Sequence, residues 1–123
     1  MAVRGEMAAL VRPASSKYHA TKTVIDGITF DSKREAKRYQ ELKLLERAGA
    51  IRDLKRQVRY ELIPAFDCDG KHYRPTTYIA DFVYTDVNTG KEVVEDCKGY
   101  RTDVYRLKAK LLARRFGVAI RES

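Results

Sequence analysis

Apolar residues recur at every third position after Ser32, and this spacing predicts an amphipathic helix. The apolar stripe consists of Ala36, Tyr39, Leu42 and Leu45. Ser32 followed by Glu35 has the form of a capping box at the start of a helix, and Gly49 is a typical residue at its end. Ahead of this helix, an Asp-Gly pair predicts the turn of a short hairpin over residues 23–30.

The middle of the chain changes to runs of β-branched and aromatic residues, which predict three strands. These strands cover Val58–Phe66, Tyr78–Thr85 and Glu92–Lys98. Turn residues separate them at Asp67–Gly70 and at Asp86–Gly90. The short turns favour an antiparallel arrangement of the three strands.

A second helix is predicted over residues 103–116, with Thr102 or Asp103 as its N-cap. One face of this helix carries Val104, Leu107 and Leu111. Gly117 ends the helix, and residues 118–120 predict a last short strand.

The predicted order is therefore helix, three-stranded antiparallel meander, helix and strand. This order indicates an α/β protein with a mixed sheet flanked by helices. A length of 123 residues is typical of one domain. Residues 1–21 show no sustained period and are predicted to form a flexible basic arm, which leaves residues 22–123 as a single domain.

The composition argues against a membrane protein and against a secreted disulfide-rich protein. The longest apolar run near the N terminus, Met7–Val11, is far shorter than the ~20 residues of a membrane span. Two cysteines, Cys68 and Cys97, are too few for a secreted disulfide scaffold and indicate a reducing, intracellular compartment. The formal net charge of +8 indicates a polyanionic partner.

This charge is distributed unevenly along the chain. Residues 1–30 carry a net charge of +2, residues 31–60 carry +5, residues 61–98 carry −4 and residues 99–123 carry +5. Carboxylates can bind a divalent metal while basic surfaces bind a phosphate backbone. An acidic centre between basic segments therefore favours an enzyme that acts on phosphodiesters over a simple binding domain.

The most informative acids lie on the second and third predicted strands. Asp81 interrupts an apolar strand, where an unpaired carboxylate would be costly. Asp96 and Lys98 are two residues apart on the next strand and therefore point to one face. A two-residue turn at Asn88-Thr89 would place Asp81 opposite Asp96, whereas a three-residue turn with a bulge at Gly90 would shift this register.

Two carboxylates and an ammonium group on one face could hold Mg²⁺ on a scissile phosphate and position the attacking water. The alternative is a structural ion pair between Lys98 and either Asp81 or Asp96. Glu95 points to the opposite face and is interpreted as solvated or paired elsewhere. Glu35 either caps the first helix alone or reaches the sheet to help hold the metal.

Basic residues alternate with tyrosines directly after these acids. The cluster consists of Tyr100, Arg101, Thr102, Tyr105, Arg106 and Lys108. Such side chains suit phosphate contacts and stacking on unpaired bases. The alternative is an amphipathic helix with an ordinary solvated basic face.

The acids and the element order together resemble the PD-(D/E)XK nuclease superfamily. That pattern has an acid on the first helix, an Asp on one strand and (D/E)-x-K on the next, here Glu35, Asp81 and Asp96-Cys97-Lys98. The resemblance implies a restriction-endonuclease-like core. Two positions depart from the usual pattern: Ala80 replaces a proline before Asp81, and Asp96 replaces the commoner glutamate.

A closer resemblance covers residues 17–122. The segments that carry it are Phe30–Ala36, Tyr60–Pro64 and Val94–Gly99. They resemble a phage-encoded family of small proteins that are suspected of being Holliday-junction-resolvase-like endonucleases. This resemblance implies action on branched DNA, a homodimer, no organic cofactor and a location in the host cytoplasm.

The resemblance also implies roles for individual residues. Asp81, Asp96 and the backbone carbonyl of Cys97 would ligate Mg²⁺, for which Mn²⁺ could substitute. Glu35 would complete or support the site, and Lys98 would assist the attacking water. The implied DNA-binding residues are Lys33, Arg34, Arg38, Gln57, Tyr100, Arg101, Thr102, Tyr105 and Lys108.

Three other functions fit the same motifs. They are a nuclease acting on linear DNA, a nuclease acting on RNA, and a catalytically silent nucleic-acid-binding protein with the same fold. The sequence motifs alone do not separate these functions from a nuclease specific for branched DNA.

Overall fold

A computed structural model describes residues 22–97 and 101–123 of the chain. The arm predicted at the N terminus lies outside the described residues, as do Lys98, Gly99 and Tyr100. The described residues form an α/β structure with a mixed sheet and two helices, which confirms the predicted class.

The chain divides into two compact units, residues 1–36 and residues 37–123. The described part of the first unit contains a hairpin of β1 (Thr23–Ile25) and β2 (Ile28–Phe30). Asp26 and its following glycine have φ angles of 54° and 75°, the left-handed conformation that a tight hairpin turn requires. The predicted hairpin is thus confirmed.

Helix α1 (Lys33–Arg47) begins directly after Ser32, as predicted. The apolar stripe is only partly buried: Tyr39 and Leu42 are buried, whereas Leu45 is exposed. Each three-residue step falls about 60° short of a full helical turn, so the stripe drifts around the helix axis. By Leu45 this drift has carried the apolar side chain to the solvent face.

The second unit is built on a four-stranded sheet in the order β3–β6–β7–β8. Its first three strands are antiparallel neighbours, and β8 lies parallel to β7. The bounds are β3 (Ile51–Ile63), β6 (Thr76–Asp86), β7 (Glu92–Asp96) and β8 (Ile120–Glu122). A separate small hairpin of β4 (Phe66–Cys68) and β5 (Lys71–Tyr73) connects β3 to β6.

All four predicted strands of the sheet have different bounds in the structure. Strand β6 is longer than the predicted Tyr78–Thr85, and β7 ends at Asp96, before the predicted end at Lys98. Strand β3 begins at Ile51, seven residues before the predicted start at Val58, and Phe66 belongs to β4. The first half of β3 is charged and lies on the edge of the sheet, so it lacks the apolar alternation that the prediction relied on. The last strand, β8, begins at Ile120, which was predicted as its end.

Helix α2 (Asp103–Phe116) matches its predicted bounds and has Thr102 as N-cap. Its predicted buried face is wrong, because Val104 is 62% and Leu107 is 56% exposed. The buried side chains are Tyr105 and Leu112, which are two helical turns apart. Leu111 is partly buried against the same cluster.

The core of the second unit lies between α2 and one face of the sheet. Its buried members are Leu62, Tyr78, Ala80, Val83, Val94, Tyr105 and Leu112. On the other face, Tyr39 of α1 stacks on Phe82 with ring centroids 6.5 Å apart. The sheet is therefore covered by a helix on each face, as predicted.

Glu95 is fully buried on the α1 side of the sheet and is paired rather than solvated. Arg38 Nε donates to Glu95 Oε2 at 2.5 Å, and Nη2 donates to Oε1 at 3.1 Å. The Tyr84 hydroxyl also donates to Oε1, at 2.6 Å. Burial alone would raise the pKa of Glu95, but the hydrogen bonds from Arg38 and Tyr84 outweigh it and lower this pKa.

Replacing Arg38 should test how strongly this buried pair stabilises the fold. We expect Arg38→Ala to lower the free energy of unfolding at pH 7 by about 3–5 kcal/mol, because the Glu95 carboxylate loses its charged partner. Arg106→Ala breaks an exposed surface pair with Asp103 and should cost less than about 1 kcal/mol. Urea denaturation measures both values, and equal losses would contradict the assignment.

The same pair predicts a pH dependence. Because the pKa of Glu95 is lower in the folded chain, its stabilising contribution is present above the unfolded pKa and is lost as the pH falls through the folded value. The stability of the wild type should therefore fall more steeply in acid than that of Glu95→Gln. Urea denaturation at a series of acidic pH values measures the two slopes, and parallel slopes would exclude Glu95 as the source.

Candidate active site

The pairing of β6 with β7 positions the two predicted acids. Phe82 lies opposite Glu95 and Val83 lies opposite Val94. Continued by one residue, this register places Asp81 opposite the last residue of β7, Asp96. This is the register predicted from the sequence.

The turn that produces the register differs from the predicted one. Four residues, 87–90, separate Asp86 from Lys91, whose carbonyl accepts a hydrogen bond from the Asp86 amide at 2.9 Å. Gly90 has a φ of 72° and closes this loop. The longer loop has the same centre as a two-residue turn at Asn88-Thr89, so the pairing of the strands is unchanged.

The alternation of side chains reverses at Asp81. Ala80 belongs to the core cluster beneath α2, whereas Phe82 stacks on Tyr39 of α1. In a regular strand, two residues at this spacing would point to one face. Gln57, which the register of β3 places opposite Asp81, has a left-handed φ of 52°. Both strands therefore change face at this pair, which explains how an acid comes to interrupt an apolar strand.

Hydrogen bonds from both neighbouring strands hold the half-buried carboxylate of Asp81. The Cys97 amide, directly after β7, donates to Oδ2 at 2.9 Å. Gln57 Nε2 donates to Oδ1 at 3.4 Å, which is longer than most such bonds. Asp81 is thus oriented firmly through one oxygen and only weakly through the other.

The second acid, Asp96, is only 2% exposed. Its Oδ2 accepts a hydrogen bond of 2.5 Å from the hydroxyl of Tyr78. Burial and the hydrogen bond to Asp96 raise the pKa of Tyr78, and the charges of Asp96 and Asp81 add to this effect. The hydroxyl therefore remains a proton donor at physiological pH, and it lies in the field of both carboxylates.

Two further members of this region were missed by the sequence analysis. Tyr78 could have been found from the sequence, because it is a tyrosine that stands three residues before Asp81 on an apolar strand. Glu122 had none, because the last strand was predicted to end before it. Glu122 lies opposite Asp96 on β8 and accepts hydrogen bonds from Arg101 and, at 3.0 Å, from the Tyr105 hydroxyl.

Two predicted DNA-binding residues are held by contacts within the fold. Arg38 is held by the buried carboxylate of Glu95. Tyr105 is buried in the core cluster with its hydroxyl on Glu122, so its ring cannot stack on a base. Burial and the hydrogen bond to Glu122 also raise the pKa of Tyr105.

The remaining predicted DNA-binding residues of the second unit keep accessible groups. Thr102 caps α2 by accepting a hydrogen bond from the Tyr105 amide at 3.0 Å. Arg101 is exposed beside Glu122, and Lys108 is half-buried. Gln57 is exposed and contacts Asp81. Tyr100 and the predicted catalytic Lys98 lie outside the described residues.

Glu35, Lys33 and Arg34 belong to the unit that ends at Ala36, which is described by itself. There the Glu35 amide donates to the Ser32 hydroxyl at 3.1 Å, as the capping pattern predicts. The role of Glu35 in a metal site and the roles of Lys33 and Arg34 in DNA binding stay predictions.

The donor set at Asp81 and Asp96 fits a hard divalent cation. Within the described ranges, no group of three or more His, Cys, Asp or Glu side chains is arranged to hold a metal ion. Mg²⁺ commonly binds to one or two carboxylates and completes its shell with water and substrate phosphate. Two carboxylates, one of them half-buried, therefore suit Mg²⁺ or Mn²⁺ rather than zinc.

Comparison with known proteins gives one match. A family model described as a protein of unknown function, DUF1064, matches residues 15–121. No curated protein and no solved structure matches the chain. Among the described residues, no helix is both long enough and apolar enough to cross a membrane.

The left-handed conformation of Gln57 can be tested through stability. Gln57→Val should lower the free energy of unfolding by about 1–2 kcal/mol or more, because a β-branched residue is poorly tolerated at positive φ. Arg59→Val, at an exposed position of the same strand with ordinary φ, should change it by less than about 0.5 kcal/mol. Chemical denaturation compares the two, and a neutral Gln57→Val would argue against the reversed pleat.

Proposed function

The chain belongs to the DUF1064 family of proteins of unknown function, and we propose that it is a divalent-metal-dependent DNA endonuclease. The observation that carries this proposal is the placement of Asp81 opposite Asp96 at the point where the pleat reverses. Two acids held together on neighbouring strands need hydrogen-bond donors or a cation to offset their repulsion, and a divalent metal is a cation that supplies this. A phosphodiester hydrolase uses such a pair directly.

In the proposed site, Asp81, Asp96 and the backbone carbonyl of Cys97 would hold Mg²⁺ or Mn²⁺. When bound, such an ion stabilises negative charge on the scissile phosphate and lowers the pKa of a bound water. The protein contributes orientation. Tyr78 holds the Asp96 carboxylate by a 2.5 Å hydrogen bond, and the Cys97 amide holds that of Asp81.

In the proposed mechanism, Lys98 is the group that orients the attacking water. A lysine ammonium can hold a water by donating an N–H hydrogen bond to its oxygen, and it offsets negative charge that builds on the phosphate. Lys98 follows Cys97 in the sequence, and the Cys97 amide contacts Asp81. The Lys98 role rests on the D-x-K pattern.

A nucleic acid is supported as the substrate by basic side chains along the edge strand β3. Arg52, Lys55 and Arg59 are exposed there, and Gln57 between them contacts Asp81. Within residues 22–97 and 101–123, Lys55 and Arg59 make no ion pair. Such cations can bind phosphates on either side of the acids. The sequence analysis did not assign them.

The finer points of the proposal rest on the family resemblance. The order of helix, antiparallel meander, helix and parallel strand supports a restriction-endonuclease-like core. The likeness to Holliday-junction-resolvase-like proteins supports branched DNA as the substrate and a homodimer as the active form, since resolving a four-way junction needs paired incisions.

One observation favours a second candidate, a catalytically silent DNA-binding protein. Asp96 is almost fully buried and bonded to Tyr78, which is also typical of a structural acid. Under this alternative the basic edge of β3 would bind DNA in the same way. Cleavage therefore separates the two functions, and binding does not.

Cleavage should be measured on labelled four-way junction, flap, linear duplex and single-stranded substrates, with Mg²⁺, Mn²⁺ or EDTA. We expect metal-dependent cutting, fastest on the branched substrates, and a loss of rate of about a hundredfold or more in Asp81→Asn, Asp96→Asn and Lys98→Ala. Glu92→Gln is the matched control, because this exposed acid lies on the same strand as Asp96. It should cut at the wild-type rate.

The variants also need a fold control, because Asp96 is buried. Circular dichroism and DNA affinity in EDTA should be close to wild type for Asp81→Asn. DNA binding without cutting under any metal would establish the silent binding protein instead. Cutting by Asp81→Asn at the wild-type rate would remove Asp81 from the site.

A further inference from the structure

The small hairpin of β4 and β5 forms a two-stranded sheet of its own, separate from the four-stranded sheet. Every residue of its two strands is exposed. Asp69 and Gly70 have φ angles of 53° and 75°, the left-handed conformation of a tight two-residue turn. The hairpin is therefore a regular element of the surface that contributes nothing to the buried core.

The two faces of this hairpin differ in chemistry. Its register gives three cross-strand pairs, which are Phe66 with Tyr73, Asp67 with His72, and Cys68 with Lys71. Successive pairs point to opposite faces. The middle pair, an acid and a histidine 2.7 Å apart, lies on one face, and the outer two pairs lie on the other. We name this second face, formed by Phe66, Cys68, Lys71 and Tyr73, the aromatic face.

The two rings of the aromatic face are aligned and accessible. Phe66 and Tyr73 are stacked, with ring centroids 4.9 Å apart and planes inclined by 10°. Phe66 nevertheless stays 47% exposed and Tyr73 39% exposed. Stacking of this kind stabilises a hairpin, but it leaves much of each ring in solvent. Such a pair forms a platform on which a further flat aromatic group can stack.

The aromatic face also carries a positive charge. Lys71 Nζ lies over the Tyr73 ring, 5.1 Å from its centroid. The acids of the hairpin lie elsewhere, since Asp67 is on the opposite face and Asp69 is in the turn. Among the described residues Lys71 makes no ion pair, so its ammonium can bind an anion beside the rings. Rings next to a cation match a nucleotide, whose base stacks and whose phosphate is anionic.

The hairpin lies between the basic edge of the sheet and the strand that carries Asp81. Strand β3, with Arg59 exposed, leads into the hairpin, and β6 leaves it at Thr76. Asp81 is five residues further along β6, which is about 17 Å of strand. DNA bound along β3 therefore runs toward the hairpin. The separation also means that a change on the aromatic face leaves Asp81 and its hydrogen bonds in place.

We propose that the aromatic face binds an unpaired base of the substrate DNA, which stacks on the Phe66 and Tyr73 rings with its phosphate at Lys71. A base inside a duplex is covered by its neighbours, and separating them is costly, so the platform selects unpaired bases. Every base has a stacking face, so the contact is independent of sequence. The inference rests on the proposed function and deepens it, because it makes DNA with unpaired nucleotides the preferred substrate.

Replacing Tyr73 by threonine tests the inference, with His72→Thr as the matched control. The two residues are neighbours on β5, both are exposed, and threonine suits a strand at either position. His72→Thr breaks the pair with Asp67 and so loosens the hairpin without changing the aromatic face. Affinity is measured by fluorescence anisotropy in EDTA, on a duplex with a single-stranded extension and on a blunt duplex.

We expect Tyr73→Thr to weaken binding of the extended duplex about tenfold or more, as the loss of one stacked base does, and His72→Thr to weaken it less than about threefold. Both variants should bind the blunt duplex as the wild type does. Tyr73→Phe keeps the ring without the hydroxyl and should bind both DNAs with wild-type affinity.

The outcomes separate this inference from the nuclease proposal. If the wild type binds no nucleic acid, the proposed function fails and the inference fails with it. If the wild type cuts DNA but Tyr73→Thr and His72→Thr bind alike, the rings only stabilise the hairpin, so the inference is overturned and the nuclease stands.

Two further results would also overturn the inference. Equal weakening of both DNAs by Tyr73→Thr would mean that the hairpin contacts the duplex rather than an unpaired base. If Tyr73→Thr dissociates a dimer in size-exclusion chromatography without a selective loss of DNA affinity, a second copy of the chain covers the aromatic face.

Discussion

The pairing of β6 with β7 is the constraint on which the candidate site depends. Register fixes which residues face each other, and a slip of one residue would exchange the faces of every side chain on the strand. The four-residue loop holds Asp81 and Asp96 opposite each other. The left-handed Gln57 then allows β3 and β6 to reverse their pleat together at Asp81, without loss of pairing on either side.

Two consecutive acids on β7 show how the fold accommodates buried charge in different ways. Glu95 faces α1, where Arg38 and Tyr84 donate hydrogen bonds to it, so it stabilises the fold. Asp96 faces α2, where Tyr78 donates a neutral hydrogen bond. A hydroxyl that donates to a carboxylate fixes its orientation, which is what an outer-shell partner does for a metal ligand.

The sequence predicted the fold more fully than the site. Periodicity, caps and turns located both helices and the order of the strands. The turn residues left two registers open, and the observed one is that of a turn centred at Asn88-Thr89. The sequence pattern could not predict contacts between segments that are distant along the chain. Local pattern could not show that Tyr105 is buried while Val104 is exposed, because the helix is docked through its Tyr105 and Leu112 side. Nor could it place Glu122, which joins the row of acids only through parallel pairing.

The central claim is that Asp81 and Asp96 together hold a divalent cation. Titration with Mn²⁺, with the free ion followed by electron paramagnetic resonance, tests it without any assumption about the substrate. We expect the wild type and Glu92→Gln to bind Mn²⁺ equally and Asp81→Asn to bind it about tenfold more weakly or worse. Equal binding by Asp81→Asn and the wild type, or no binding by either, would exclude this pair of acids as the metal site.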